Sequence, residues 1–392
     1  MNKKNQNSDF YFFALLVFLA ICVRIAFIPF ESGDYKIHLL KWYNSLASGN
    51  ILESLRSTRS DYTPSYLYLI WISTFFSLTP IAAIKLISIS FDFLASFYTF
   101  RLVRLKSNNP VISTAAFVVV LFAPTVILNS SVWGQCDMIY TSCLVASLYY
   151  FMSNKSRPAL IWYGIAFALK LQSVFLSPLI LVMLIKKRIK FREIFIIPVV
   201  YMVSIIPSLI AGRPLKDLLM VYLKQAGEYK RLTLGFANFY QWITNSNYEM
   251  FRNAGILITA ASFVFICFIF YKSKHIADNE FILRLSVLSL LVIPFLLPGM
   301  HERYYFPADV FCIVLAFYLP KYLYIAVTMS LVSFFSYCDN LFGAYIIEPR
   351  YLAIAVFIII VLLSYDNIRF LFPGGNIKLT GINYEDGPKT LS

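Results

Sequence analysis

Charge is scarce in this chain. Asp, Glu, Lys and Arg make up 14% of its 392 residues, and 59% are hydrophobic. Soluble domains carry about 25% charged residues, so the deficit excludes an ordinary water-facing globule and points to a lipid solvent. The six cysteines (22, 136, 143, 267, 312 and 338) include no CxxC pair, which argues against a disulfide framework or a zinc site. There is no Gly/Ser linker, no internal repeat and no separate soluble domain. The apolar run that begins near Phe10 has no small-residue cleavage site after it and reads as a retained first span.

Acids are scarcer than bases, 20 against 34, for a net charge of +14. In a soluble protein that balance would suggest nucleic acid. Here the bases fall in short clusters between apolar runs: Lys3-Lys4, Arg101 to Lys106, Lys155/Arg157, Lys186 to Arg192 and Lys272/Lys274. This is the positive-inside pattern, so the charge reports orientation and no nucleic-acid partner is expected.

Apolar stretches lie at 10–30, 64–79, 81–103, 111–129, 137–152, 159–171, 173–186, 193–212, 253–271, 281–297, 304–319, 322–338 and 349–365. Simple alternation of all of them would put the Arg101–Lys106 cluster outside. Anchoring 186–192 in the cytoplasm brings every basic cluster inside, provided 64–79 and 81–103 together make one net crossing. The expectation is a single all-α domain over 1–365 with about twelve net crossings and both termini cytoplasmic. Residues 366–392 would be a short polar cytoplasmic tail. The outer loops would be 31–63, 130–136, 170–173, 213–250, 298–303 and 339–348. In 35–56 and in 213–250 apolar and charged residues alternate, which predicts amphipathic helices in the membrane interface.

The unusual polar groups collect in those outer loops. Asp34, in Ser32-Gly33-Asp34-Tyr35, could cap a helix or present its carboxylate to the membrane face. Asp61-Tyr62-Thr63-Pro64 is ordinary helix-start chemistry, yet it adds a second acid. Gln135 and Asp137, in Trp133-Gly134-Gln135-Cys136-Asp137, lead into an apolar run, where a carboxylate is costly unless paired or solvated. Lys170, in Lys170-Leu171-Gln172, needs an anion, either Asp137 or a ligand phosphate. His301-Glu302-Arg303 places three ionisable groups in succession, although a lone loop histidine is more often just solvated. Lys85 and Asp92 share one helix face and read as a buried pair or as contacts with a neighbouring helix. Singly these signals are weak; together they put acids, bases and cations on one side.

The ordered set, with Gly212-Arg213-Pro214 added, resembles the GT-C glycosyltransferases. It is most similar to bacterial predicted mannosyltransferases related to the second mannosyltransferase of GPI-anchor synthesis. It is also similar in outline to the ER glucosyltransferases that use dolichyl-phosphate glucose. Thr63 stands where many relatives have a second proline. The resemblance implies a GT-C fold in the cytoplasmic (inner) membrane and an extracytoplasmic active site. The implied reaction moves one hexose, mannose or glucose, with inversion, from a polyprenyl-phosphate sugar to a hydroxyl of a glycan or glycolipid. In that family the first-loop aspartate is the base, matched here by Asp34.

The chemistry fits the residue types. A carboxylate takes the acceptor's proton, and a phosphate leaving group needs cations, for which Lys170, His301 and Arg303 are candidates. Asp61, Tyr62, Gln135, Asp137, Gln172 and Glu302 would hold sugar or acceptor. The first loop has no Asp-x-Asp, so no metal or other cofactor is expected. A lipid-linked sugar flippase or transporter, or a membrane O-acyltransferase using His301, are the rival classes; neither accounts for a one-sided cluster that includes the Gly33-Asp34 loop.

This sidedness is testable. Single cysteines at Ser48 and Asn245 in a cysteine-free background should react with an impermeant thiol reagent in intact cells. Reaction only after permeabilisation would overturn the assignment.

Overall fold

The computed structural model describes residues 3–373 apart from Arg59, Asp61 and Gly227, with no side-chain description for 3–9, Ile51 and Ala226. Asp61 and most of the expected tail therefore lie outside the described residues. The chain is 78% helical, and each of its apolar stretches holds a helix. Among the described residues seven helices are long and apolar enough to cross a membrane, or eight if a bent pair counts as one span. The protein is an all-α, multi-pass membrane protein.

In chain order, α1 is Lys3–Phe27, followed by a π-helical turn and the short helices α2, Leu40–Ala47, and α3, Ile51–Ser57. Then come α4, Pro64–Ser73, and α5, Pro80–Arg104. Helices α6, Pro110–Phe122, and α7, Pro124–Ile127, form the bent pair; a π turn continues α7 to Trp133, and the bend is 47°. The proline at 124 cannot donate to the ladder, so the break falls there. Next are α8, Asp137–Met152, and α9, Ser156–Leu169. A 3₁₀ turn leads into α10, Ser177–Ile185, and another into α11, Ile196–Ile210. The long loop holds α12, Leu215–Leu219, α13, Val221–Ala226, and β1, Thr233–Leu234. Helices α14, Tyr248–Lys272, and α15, Asn279–Leu296, precede β2, Met300–His301. The chain then runs through α16, Phe306–Tyr318, α17, Leu323–Phe342, and α18, Pro349–Leu371.

Burial sorts these helices. α8 is almost wholly buried, and 83% of the α15 span is, whereas α1 buries 11% and α14 28% of theirs. Phe10, Phe12, Phe18, Leu257 and Val264 are exposed. An apolar exterior of this extent is stable only in lipid. Helix α4 has ten residues, about 15 Å, so of 64–79 and 81–103 it is the first that is half-length. Helix α18 runs to Leu371, past the expected boundary at 365. Asp366 there is paired with Arg284 at 3.0 Å and Lys321 at 2.9 Å, so its charge does not end the helix.

The two ends of the bundle differ. Lys186 donates to the Ser273 and His275 carbonyls, Lys106 to Tyr318, and Arg188 to Asn154, so the basic clusters meet at one end. At the other end Lys85 donates to the carbonyls of Phe27, Ile28 and Phe30, which close α1. Thr63 there reaches the Ala168 carbonyl at the end of α9. Lys85 thus satisfies helix-terminal acceptors and does not pair with Asp92. Asp92 pairs with Arg24 of α1 at 2.9 Å, both fully buried, and accepts from Ser130 at 2.7 Å.

Removing one partner of a buried pair strands the other charge. Asp92→Leu should therefore cost on the order of 3–5 kcal/mol, whereas Arg24→Leu/Asp92→Leu recovers most of the loss. Unfolding in detergent would check this; equal losses in the single and double variants would refute it.

Candidate functional site

The first loop is fixed by Ser32 and not by the aspartate. Ser32 Oγ donates to the Trp133 carbonyl at 2.8 Å and accepts from the Tyr35 N–H, so the capping role falls to Ser32. Asp34 has helical dihedrals and makes no capping bond. Its carboxylate turns instead to the 133–135 segment. Trp133 Nε1 donates to Asp34 Oδ2 at 3.0 Å, and Gln135 Nε2 donates to the same oxygen. Gly134 makes this possible. Its φ of +75° is the left-handed region that glycine adopts without strain, and it turns the two flanking side chains onto one acceptor. Both donors take Oδ2, so among the described residues Oδ1 keeps its lone pairs for another partner.

Beside Asp34 lies Arg303, on the turn between β2 and α16. Its guanidinium is 2.9 Å from Glu302 Oε1, 3.5 Å from Asp137 Oδ2 and 4.0 Å from Asp34 Oδ2. It also stacks over the Trp133 ring, 5.4 Å from the centroid. Burial opposes its charge, but Glu302, Tyr62, Asp137 and Asp34 outweigh burial and hold its pKa well above the ordinary value. Burial raises the Glu302 carboxyl above the usual range, with Arg303 pulling the other way. His301 is pushed down to about 3 by burial and by the Arg303 and Lys170 charges, so it is a neutral imidazole near pH 7.

Lys170 ends α9 and is 2% exposed. Its ammonium pairs with Asp137 Oδ1, and the rings of Tyr62, Tyr140 and Tyr304 surround it at 5.5–5.7 Å. Asn129 Nδ2 holds the other Asp137 oxygen at 3.0 Å. Of the two partners open to Lys170, the protein carboxylate is the one present.

These groups surround a cavity of about 550 Å³. Asp34, Tyr62, Gln135, Gln172, His301, Glu302 and Arg303 line it; Lys170 and Asp137 form a sealed pair behind that lining. Among the described residues Gln172 Oε1 is buried without a partner, which leaves an acceptor for a ligand hydroxyl. Other lining groups were not among the sequence candidates: Trp42, Arg252 and Asp339; Arg231 ends the cationic stretch 224–231, the fallback phosphate site in the sequence. Strand β1 pairs with β2, Thr233 against Met300 and Leu234 against His301, so the 213–250 loop straps across the His301–Arg303 turn. Two-residue strands have no periodicity to read in a sequence. Arg252 is hidden in the first turns of an apolar helix.

The chain matches no known protein-family model. No curated protein matches it either.

The depressed His301 value sets a pH dependence. Between about 6.5 and about 3 the unfolded chain holds a proton on this residue that the folded chain does not. Stability is therefore lost as pH falls through that window. His301→Gln should lose less stability than wild type from pH 6.5 to 4.5, with Glu302 cancelling in the comparison. Parallel pH profiles of thermal unfolding would refute a buried neutral imidazole.

Proposed function

We propose that the protein is an inverting glycosyltransferase of the GT-C type. In this reading it moves one hexose, mannose or glucose, from a polyprenyl-phosphate sugar to a hydroxyl of a glycan or glycolipid. The cavity opens on the extracytoplasmic face of the inner membrane, and the shorter buried helices complete a total of about twelve crossings. The observation that carries the proposal is Asp34: a carboxylate held from one side by two N–H donors, with its second oxygen available at a cavity wall.

The reaction needs few parts. The acceptor oxygen attacks the anomeric carbon while its proton passes to Asp34 Oδ1. The bond from that carbon to the phosphate oxygen breaks, and the lipid phosphate leaves with the electron pair. The leaving group is already an anion, so no strong general acid is required. Trp133 and Gln135 act as positioning residues, because a base displaced by an ångström loses much of its effect. Gln172, Gln135 and neutral His301 supply hydrogen bonds suited to sugar hydroxyls. Tyr62, resting on Trp42 at 5.5 Å, offers an aromatic face. The opposite distribution of basic clusters and cavity supports the sidedness. The resemblance of the ordered motifs supports the donor class.

Purified protein supplied with polyprenyl-phosphate mannose and polyprenyl-phosphate glucose should release polyprenyl phosphate from one of them. Asp34→Asn retains the acceptor oxygen for Trp133 and should fold normally, but turnover should fall at least ~10²-fold. Should the variant keep most of its rate, Asp34 is structural and the base lies elsewhere.

A further inference from the structure

The inner cations have little charge to spare. Arg303 is shared by Asp34, Asp137 and Glu302, and Lys170 is spent on Asp137 behind the lining. Three carboxyls against two cations cannot neutralise a phosphate as well, and His301 lacks the charge to help. A lipid phosphate at this end of the cavity would face uncompensated negative charge in a poorly solvated site.

The cavity has a second cationic wall. Among the described residues its remaining lining cations are Arg231, on the strap just before β1, and Arg252, in the second turn of α14. Strap and helix are one packed unit. Asn245 Oδ1 accepts from the Leu232 N–H at 2.9 Å, and the Tyr248 hydroxyl reaches the Tyr229 carbonyl at 3.3 Å. A Cβ added at Gly255 would come within 1.8 Å of the Tyr240 hydroxyl, so the two surfaces are in full contact. Glu228 on the strap also lines the cavity, and Glu249 precedes Arg252 on α14 without lining it. Glu249 approaches Arg252 only to 3.9 Å and is 70% exposed. One turn beyond Arg252, Ile256 lines the cavity, and its neighbours on α14, Leu257 and Ile258, are 71% and 50% exposed. The cavity lining at Ile256 therefore adjoins the exposed apolar surface of α14.

We infer that Arg231 and Arg252 bind the phosphate of a polyprenyl-phosphate ligand, whose tail leaves the cavity past Ile256 along the exposed face of α14. Guanidinium pairs bind phosphate oxygens through charge-assisted hydrogen bonds. This assignment rests on the glycosyltransferase reading and specifies its donor subsite. Arg303 then acts on Asp34 and the sugar end, and Lys170 on Asp137.

Binding of polyprenyl phosphate, the matching polyprenol and inorganic phosphate to the full-length protein in detergent separates the possibilities. Wild type should bind polyprenyl phosphate at least tenfold more tightly than either of the others. Arg231→Gln/Arg252→Gln should lose at least about tenfold of that affinity and lower turnover on the donor as well, since the leaving phosphate then loses its cations. Arg231→Lys/Arg252→Lys should keep part of it. Lys216→Gln, outside the cavity on the same loop, should bind as wild type does. Both arginines are accessible, so the variants should unfold at the wild-type temperature, which is measured alongside. Wild-type affinity in the Gln double variant overturns the assignment while leaving the transferase reading intact. Equal affinity for inorganic and polyprenyl phosphate removes the lipid exit. A wild type that cannot tell polyprenyl phosphate from polyprenol sinks both.

Discussion

One guanidinium organises the site. Arg303 draws together Asp34 from the first loop, Asp137 from the start of α8 and its own neighbour Glu302, carboxyls that are remote in sequence. In a poorly solvated interior none of these acids could stand ionised alone, and two would repel each other without a cation between them. Lys170 completes the set by taking the far side of Asp137. The arrangement fixes the relative position of three chain segments, and with it the position of Asp34, whose Oδ1 faces the cavity. It also decides which charges are left for a ligand: the inner cations are consumed by the protein, and Arg231 and Arg252 are the other lining cations among the described residues.

The same constraint explains the rest of the buried polarity. Arg24 and Asp92 cross between α1 and α5, with Ser130 adding a second donor to Asp92 Oδ2 and the Leu121 carbonyl accepting from Arg24. Lys85 closes the carbonyl end of α1. These groups join helices that would otherwise meet only through apolar packing, which in lipid supplies little directional preference. They hold the first helix and its loop where Ser32 can grip the Trp133 carbonyl.

Much of this was legible in the sequence. Every apolar stretch holds a helix, although 64–79 is helical only to Ser73, because a helix satisfies its backbone groups within one segment in lipid. The candidates Asp34, Gln135, Gln172 and the His301–Arg303 triplet share one cavity, since each stands in a loop that the charge pattern assigned to one end. What was not legible depended on partners. Lys85 and Asp92 lie on one face at a seven-residue spacing, and nothing local reveals that each binds α1 instead of serving the other. Lys170 was left between a ligand and Asp137, and only the fold shows the ammonium sealed against that carboxylate. The pairing of the 213–250 loop with the His301 turn escaped notice because its two-residue strand carries no pattern, and Arg252 because an apolar helix masked it. Asp366 looked like the start of a tail only while Arg284 and Lys321 were out of sight.

The unequal lengths of α16 and α17 have a geometric outcome. Their far ends coincide, joined by the turn at Pro320–Tyr322, yet α16 has 13 residues and α17 has 20. At 1.5 Å per residue α16 stops about 10 Å short of its neighbour. The segment holding His301 and Arg303 is therefore the floor of a well whose side is the last two turns of α17, where Ser336 and Asp339 line the cavity. Thinning or thickening of the surrounding bilayer would shift the headgroups against the outer helices and leave the depth of that floor below the rim unchanged.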